Sequence, residues 1–284
     1  MPDDDTFLLG GDLEVRRLGF GAMRITGDGI WGEPADPAAC RALLRHLVDR
    51  DVNLIDTADS YGPHVSEDLI AEALRPYPDN LVIATKGGLV RPGPNRWEAN
   101  GRPDHLKRAC EGSLRRLRVE RIDLYQLHRV DPQVPVEDSI GALVELQEEG
   151  KIRHIGVSNF GLEDLERAQQ IATIVSVQNR YNVIDRHSED VLEECGRQQL
   201  AFFPWAPIAS GRDVAARGPA VDEIARAHSA SPRQVALAWL LAHSPVIIPI
   251  PGTSTIAHFD ENLDAVGLEL EPEELKMLDE LAPA

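Results

Sequence analysis

Asp56, Tyr61, Lys86 and His128 are a carboxylate, a phenol, an ammonium and an imidazole, residue types from which a proton-transfer site is built. They sit in three short segments: NLIDTADSYG at 53–62, ATKGG at 84–88 and LYQLHRVD at 124–131. A fourth segment, GVSNF at 156–160, adds Asn159. A tyrosine in water keeps its proton up to a pH of ~10. A cation beside it stabilises the phenolate and lowers that value. Lys86 can be the cation, Asp56 can keep it charged and aimed, and His128 can hydrogen-bond a substrate oxygen beside Tyr61. Together the four can protonate a carbonyl oxygen as a hydride arrives, or take the proton back from an alcohol. Taken singly, Asp56 could cap a turn, Tyr61 could line a rim and His128 could be a core histidine. Lys86 at the end of an apolar run is harder to place that way, because a buried ammonium needs a partner.

No side chain donates a hydride, so such a site needs a nicotinamide cofactor. LGFGAMR at 18–24 contains GxG, but it lacks the third glycine and the βαβ context of the dinucleotide fingerprint. The nicotinamide would then lie at strand ends, where Ser158, Asn159 and Gln178 offer a hydroxyl and amides for its carboxamide. Trp205, in FFPWAPIASG at 202–211, is either a flat surface for the ring or a core tryptophan.

These residues must be positioned by the elements around them. Short aliphatic runs alternate with amphipathic stretches, the pattern of a parallel sheet with crossover helices. The strand candidates are 18–25, 52–57, 81–86, 122–128, 152–158, 173–178, 200–206 and 245–250. Leu43 with Leu47 and Leu44 with Val48 give a helical stripe within 38–49. Asp104 is placed to cap a helix carrying Leu106, Cys110, Leu114 and Leu117. Ser231-Pro232-Arg233-Gln234 spells a capping box. Leu275, Leu278 and Leu281 mark an amphipathic last helix. Gly10-Gly11 lies between two strand-like pieces, a hairpin signal. The expected fold is α/β: a single (β/α)8 TIM barrel over residues 1–284, with an N-terminal β-hairpin closing the bottom. In such barrels the chemistry sits at the C-terminal strand ends, where Asp56, Lys86, His128, Asn159, Gln178 and Trp205 fall. The Gly/Pro-rich loops 26–37 and 87–103 would rim the mouth, each with a tryptophan. Trp31 and Trp97 either contact substrate, as part of a pocket with Tyr61 and His128, or brace the loops.

The net charge of −18 repels nucleic-acid phosphates and anionic lipid, so neither is an expected partner. The local pocket can still be positive. Cys40, Cys110 and Cys195 are scattered and form no CxxC, which fits a reducing cytoplasm and suggests neither zinc nor a disulfide framework. The start, MPDDDTFLLGG, has no basic n-region, and no apolar run approaches membrane-spanning length. The strand ends mix Lys, Asn, Gln and Trp in place of the clustered His and carboxylates of a metal-dependent barrel, so no metal is expected.

These motifs, in this order, resemble the aldo-keto reductases over nearly the whole chain. The resemblance implies that Tyr61 is the general acid and that Lys86, Asp56 and His128 support it. It further implies that Gly21, Ala22, Met23, Asp56, Ser158, Asn159, Gln178, Trp205, Ala206 and Pro207 lie along the cofactor, with Ile208, Ser210 and Gly211 at the pyrophosphate. IPIPGTSTIAHFDENLDA at 248–265 is similar to the family's segment for the adenosine end. There Gly252, Thr253, Ser254, Thr255, His258, Glu261 and Asn262 are the matching positions. Better-known members often carry Lys where this chain has Gly252, and Arg where it has His258. Both cations favour a 2′-phosphate, and without them NADH is allowed; the resemblance still implies NADPH, because related bacterial members with this GTS-type segment are generally NADPH reductases. DTADSYGPHVSEDLIAEAL with TKGGLVRPGP is similar to the branch that includes bacterial and yeast pyridoxal reductases and pyridoxine 4-dehydrogenases. The implied activity is reversible NADPH-dependent reduction of an aldehyde or ketone, with pyridoxal a candidate substrate and a monomer the default state. The alternative within the same fold is a cofactor-binding sensor or regulatory subunit with little turnover.

Overall fold

Side chains alternate inward and outward along parallel strands, and that parity sorts this chain's apolar residues into two cores. In the computed structural model, which describes residues 5–208 and 220–282, one core is the barrel interior and the other lies between sheet and helices. Leu54 of β4 (Leu54–Asp56), Val82 and Ala84 of β5 (Val82–Gly87) and Leu124 of β8 (Ile122–Leu127) belong to the inner core. Their neighbours Ile55, Ile83, Tyr125 and Leu127 face the helices. The parity that buries Leu54, Ala84 and Leu124 also points Asp56, Lys86 and Gln126 inward, one layer higher.

Seven parallel strands pair in the order β11-β10-β9-β8-β5-β4-β3, where β3 is Phe20–Gly21, β9 Ile152–Ser158, β10 Ile174–Arg180 and β11 Ala201–Trp205. Two expected strands differ. Only Phe20–Gly21 of 18–25 is strand, and Ala22–Ile25 turns into a short 3-10 helix. The 245–250 run makes one bridge, Phe202 to Ile247, and no regular strand. Pro249 and Pro251 have no N–H to give to a ladder. The run still closes the barrel. Phe202 donates to the Val246 carbonyl at 2.8 Å and Ile248 to Phe202 at 2.9 Å, while Gly19 donates to Pro249 at 2.9 Å.

The hairpin of β1 (Thr6–Leu9) and β2 (Leu13–Arg16) plugs the bottom, putting Leu9 and Val15 into the inner core. Gly10 and Gly11 have φ of 63° and 84°, and a Cβ on Gly10 would meet the His154 ring at 2.5 Å, so the turn needs glycine. At the mouth, the loop after β5 folds into a second hairpin, β6 (Leu89–Gly93) with β7 (Arg96–Ala99).

The crossover helices start where the sequence signals them, with one exception. The helix Pro37–Asp49 is capped by Asp36 and buries Leu43, Leu44 and Leu47. The helix Pro103–Leu117 has Arg102 at its N-cap, so Asp104 lies in its first turn and pairs with Arg108 in place of capping. Pro103 takes the first helical position and displaces the expected cap. Ser231 and Gln234 form the capping box of the helix Pro232–His243. Thr255 caps Ile256–Leu263, and the last helix runs Pro272–Asp279, leaving Leu281 just beyond it. The three cysteines are buried as free thiols. Among the described residues, no helix is long and apolar enough to cross a membrane and no cluster of His, Cys, Asp or Glu could hold a metal.

Candidate active site

The inner layer at the C-terminal strand ends is a closed set of hydrogen bonds around one carboxylate. Asp56 Oδ1 accepts from Lys86 Nζ at 2.6 Å. Its Oδ2 accepts from Gln178 Nε2 at 2.8 Å and Gln126 Nε2 at 3.1 Å. Lys86 is fully buried and spends its three protons on Asp56, the Thr57 carbonyl at 2.8 Å and the Tyr61 hydroxyl at 3.4 Å. Burial of Lys86 works against its charge. Asp56 and the phenol outweigh that, and its pKa stands above the usual lysine value, so it is an ammonium.

Tyr61 departs from the expected acidification. Burial pushes the phenol up more strongly than Lys86 pulls it down, so Tyr61 is held protonated. That is the state needed to donate a proton. His128 goes the other way. Burial first, then Lys86 and neighbouring arginines, hold its imidazole well below the usual histidine range, so it is neutral. Its Nδ1 lies 3.4 Å from Ser60 Oγ, leaving the other ring nitrogen for a ligand. The rings of Tyr61, His128 and Trp97 meet edge to face, with centroids 5.9–6.4 Å apart.

Above this set lies a cavity of about 1030 Å³. A smaller one, about 660 Å³, lies at the bottom of the barrel around Leu18, Val52 and Leu268, away from these groups. The large cavity brings together Gly21, Met23, Asp56, Tyr61, Trp97, His128, Ser158, Asn159, Gln178, Trp205, Ala206, Pro207, Ile208, Gly252, Thr253, His258 and Asn262, as the sequence suggests. Other expected positions do not line it. Ala22 is buried and its carbonyl accepts from Ser66. Ser254 and Thr255 stand outside, Thr255 because its hydroxyl caps the His258 N–H. Glu261 faces Arg233 at 3.7 Å. Trp31 braces the rim and leaves Ile30 to line the cavity. Lys86 lies beneath Tyr61. Ser210 and Gly211 fall outside the described residues.

The carboxamide holders also differ in detail. Gln178 gives its amide protons to Asp56 and Gln126, so its carbonyl oxygen is what remains for a ligand. Asn159 donates to the His128 carbonyl and Ser158 Oγ, and accepts from Trp205 Nε1 at 3.1 Å. It thus fixes the plane of Trp205 and keeps only a lone pair for a ligand. Asn159 takes a φ of 59°, the left-handed region that asparagine tolerates.

A dinucleotide fits this donor set. Asn262 is 3% exposed at the far end of the cavity, and its Oδ1 has no hydrogen-bond partner among the described residues, an acceptor suited to an exocyclic amine. Arg24, Arg180 and Arg233 line the cavity and offer positive charge to phosphates on a chain of net charge −18. Sequence reasoning missed these three arginines, and also Gln126 and Arg91. Gln126 had a signal, because it shares the inward parity of Lys86 on the next strand. The arginines had none, since only the closed barrel brings positions 24, 180 and 233 together.

The aldo/keto reductase family model matches residues 17–283. An uncharacterized oxidoreductase of Schizosaccharomyces pombe is 50% identical over 270 residues, covering 95% of this chain and 88% of its own. Pyridoxine 4-dehydrogenase of Escherichia coli is 40% identical over 281 residues, covering 97% of each chain. A crystal structure of an aldo/keto reductase from Klebsiella pneumoniae, in complex with NADP and acetate, superposes with a TM-score of 0.82 at 28% identity. That match covers 98% of this chain and 95% of the other.

Proposed function

The chain belongs to the aldo/keto reductase family and is an NAD(P)H-dependent oxidoreductase, and from that premise we propose that it reduces an aldehyde or ketone with NADPH, taking the proton from Tyr61. The bound nicotinamide supplies the hydride. Every other part of the step falls to residues of this chain, working as one domain and by default as a monomer. Asp56 holds the Lys86 ammonium beneath the phenol. Lys86 stabilises the phenolate left when Tyr61 gives its proton to the substrate oxygen. His128, neutral, donates a hydrogen bond to the same oxygen. Trp205, with its plane fixed by Asn159, offers a face to the cofactor ring. The observation that carries this reading is the buried relay from Asp56 through Lys86 to Tyr61, at 2.6 and 3.4 Å.

NADPH is preferred over NADH in this reading because Arg24, Arg233 and His258 line the cavity beside Thr253 and Asn262, where a 2′-phosphate would gain from positive charge. Pyridoxal is the candidate substrate, on the likeness to the Escherichia coli dehydrogenase and on the ring-lined wall above Tyr61. Three buried free thiols suit a reducing cytoplasm. The test is oxidation of NADPH and of NADH, followed by absorbance, with pyridoxal and a panel of simple aldehydes. The expected result is turnover with NADPH well above NADH, and a Tyr61→Phe enzyme that binds NADPH normally but turns over at least a hundredfold more slowly. Equal turnover by Tyr61→Phe would remove it as the acid. Tight NADPH binding without turnover of any carbonyl would support a cofactor sensor instead.

A further inference from the structure

Arg91 has no part in the proton relay, yet it is the most heavily bonded side chain at the mouth. It lies on β6, and its guanidinium carbon sits 3.6 Å over the Trp97 ring centroid and 5.8 Å from that of Trp31. All five of its N–H groups find carbonyls. Nε donates to Arg96 at 2.8 Å. Nη1 donates to Ile30 at 2.8 Å and Ser60 at 3.0 Å, and Nη2 to Gly29 at 2.9 Å and Gly93 at 3.4 Å. Those acceptors belong to the loops that follow β3, β4 and β5. Ser60 adjoins Tyr61. No carboxylate pairs with Arg91 among the described residues, so its charge rests on carbonyl dipoles and two indole faces.

We propose that Arg91 is a positioning residue that sets substrate specificity, by holding Trp97 edge-on to Tyr61 and His128 so that the pocket favours flat aromatic carbonyl compounds. Trp97 meets Tyr61 at 89° and His128 at 62° and lines the cavity with Leu89, Ile30 and Val130. These walls are apolar and aromatic on the side away from the proposed cofactor groove. A planar ring carrying an aldehyde can lie against Trp97 with its oxygen toward Tyr61 and His128, whereas a short aliphatic aldehyde gains little from that wall. Among the described residues, Trp97 has no side-chain hydrogen bond that would fix its ring. Its orientation therefore depends on the guanidinium stacked on it.

The proposal rests on the reading of this site as a carbonyl reductase. It is tested by kcat and KM for pyridoxal and for propanal, with NADPH, in the wild type, Arg91→Met, Arg91→Lys and Trp97→Ala. In Arg91→Met, kcat/KM for pyridoxal is expected to fall about tenfold relative to propanal, between the size of an exposed and of a fully desolvated cation–π contact. The loss should lie mainly in KM, with the Kd for NADPH within about twofold of wild type. Arg91→Lys keeps the charge but has three donors and no plane, so it should restore less than half of the preference. Adding Trp97→Ala to Arg91→Met should cost little more, because both act through one wall. Thermal melts of each variant separate a misfolded protein from a re-aimed pocket. An equal loss on both aldehydes, or an unchanged ratio in a folded Arg91→Met enzyme, would overturn the proposal alone. No wild-type turnover of either aldehyde would instead defeat the reductase reading and this inference with it.

Discussion

Replacing Lys86 by Met separates what the relay does for stability from what it does for chemistry. The substitution keeps a side chain of similar length but removes an ammonium that is fully buried and bonded to Asp56, the Thr57 carbonyl and Tyr61. Asp56, itself 2% exposed, would then face only the amides of Gln126 and Gln178. Removing one partner of a buried ion pair costs about 3–5 kcal/mol, because the other charge is left uncompensated. For a chain near this size, ~2–4 °C of Tm accompanies each kcal/mol, so the melt should fall by roughly 6–20 °C. The double variant Asp56→Asn with Lys86→Met removes both charges, and buried ion pairs replaced whole are often neutral in stability. It should recover at least half of the lost Tm while remaining inactive, since the phenol still lacks its cation. Calorimetry on the wild type, these two variants and Asp56→Asn alone, with turnover measured alongside, gives the cycle. A Lys86→Met protein that melts within about 2 °C of wild type would refute the reasoning. So would a double variant no more stable than the single one, since the loss would then not come from a stranded charge.

Three other perturbations follow from groups buried near the same strand ends. His128 has a depressed folded-state pKa, so its contribution to stability is complete above its unfolded value of ~6.5 and is lost as pH falls below that. Melts should therefore drop faster between pH 6.5 and 5 in the wild type than in His128→Gln; parallel curves would contradict a buried neutral imidazole. Asp59 is 6% exposed, its Oδ1 has no hydrogen-bond partner among the described residues, and burial with Glu67 nearby raises its pKa well above the carboxylate range. Its stability contribution is then lost as pH rises from that range, so Asp59→Asn should gain on the order of 1–3 kcal/mol, more at pH 8 than at pH 5. A Cβ on Gly87 would stand 2.1 Å from the Tyr125 hydroxyl, which is buried with no hydrogen-bond partner among the described residues. Gly87→Ala should cost about 1–3 kcal/mol in denaturant unfolding, and Tyr125→Phe should restore most of it. No rescue would place the strain in the backbone instead.

Short-range patterns carried most of the architecture. Leu54-Ile55-Asp56 and Ala84-Thr85-Lys86 end apolar runs with a charge, and strand parity alone directs that charge to the face of the preceding buried residues. Capping at Ser231 and the glycine pair at 10–11 were legible for the same reason, since caps and turns are decided within four residues. The expected eighth strand failed on a local detail, the missing N–H groups of Pro249 and Pro251, although the segment keeps its place by lending carbonyls. Asp104 failed because Pro103 competes for the same helix start.

The sequence by itself determined which groups could meet: the order of the segments, their strand ends, and a phenol, an ammonium, a carboxylate and an imidazole at those ends. It also determined that a cofactor had to bring the hydride. Only the tertiary structure decided the protonation states. The net shift of Tyr61 depends on burial outweighing Lys86, and burial is a property of the closed barrel. It also decided how each amide is spent, with Gln126 and Gln178 turned onto Asp56 and Asn159 onto Trp205. Arg91 lay beyond any reading of the chain as a string. Its five carbonyl acceptors come from three loops, and no periodicity along the sequence records a distance between loops.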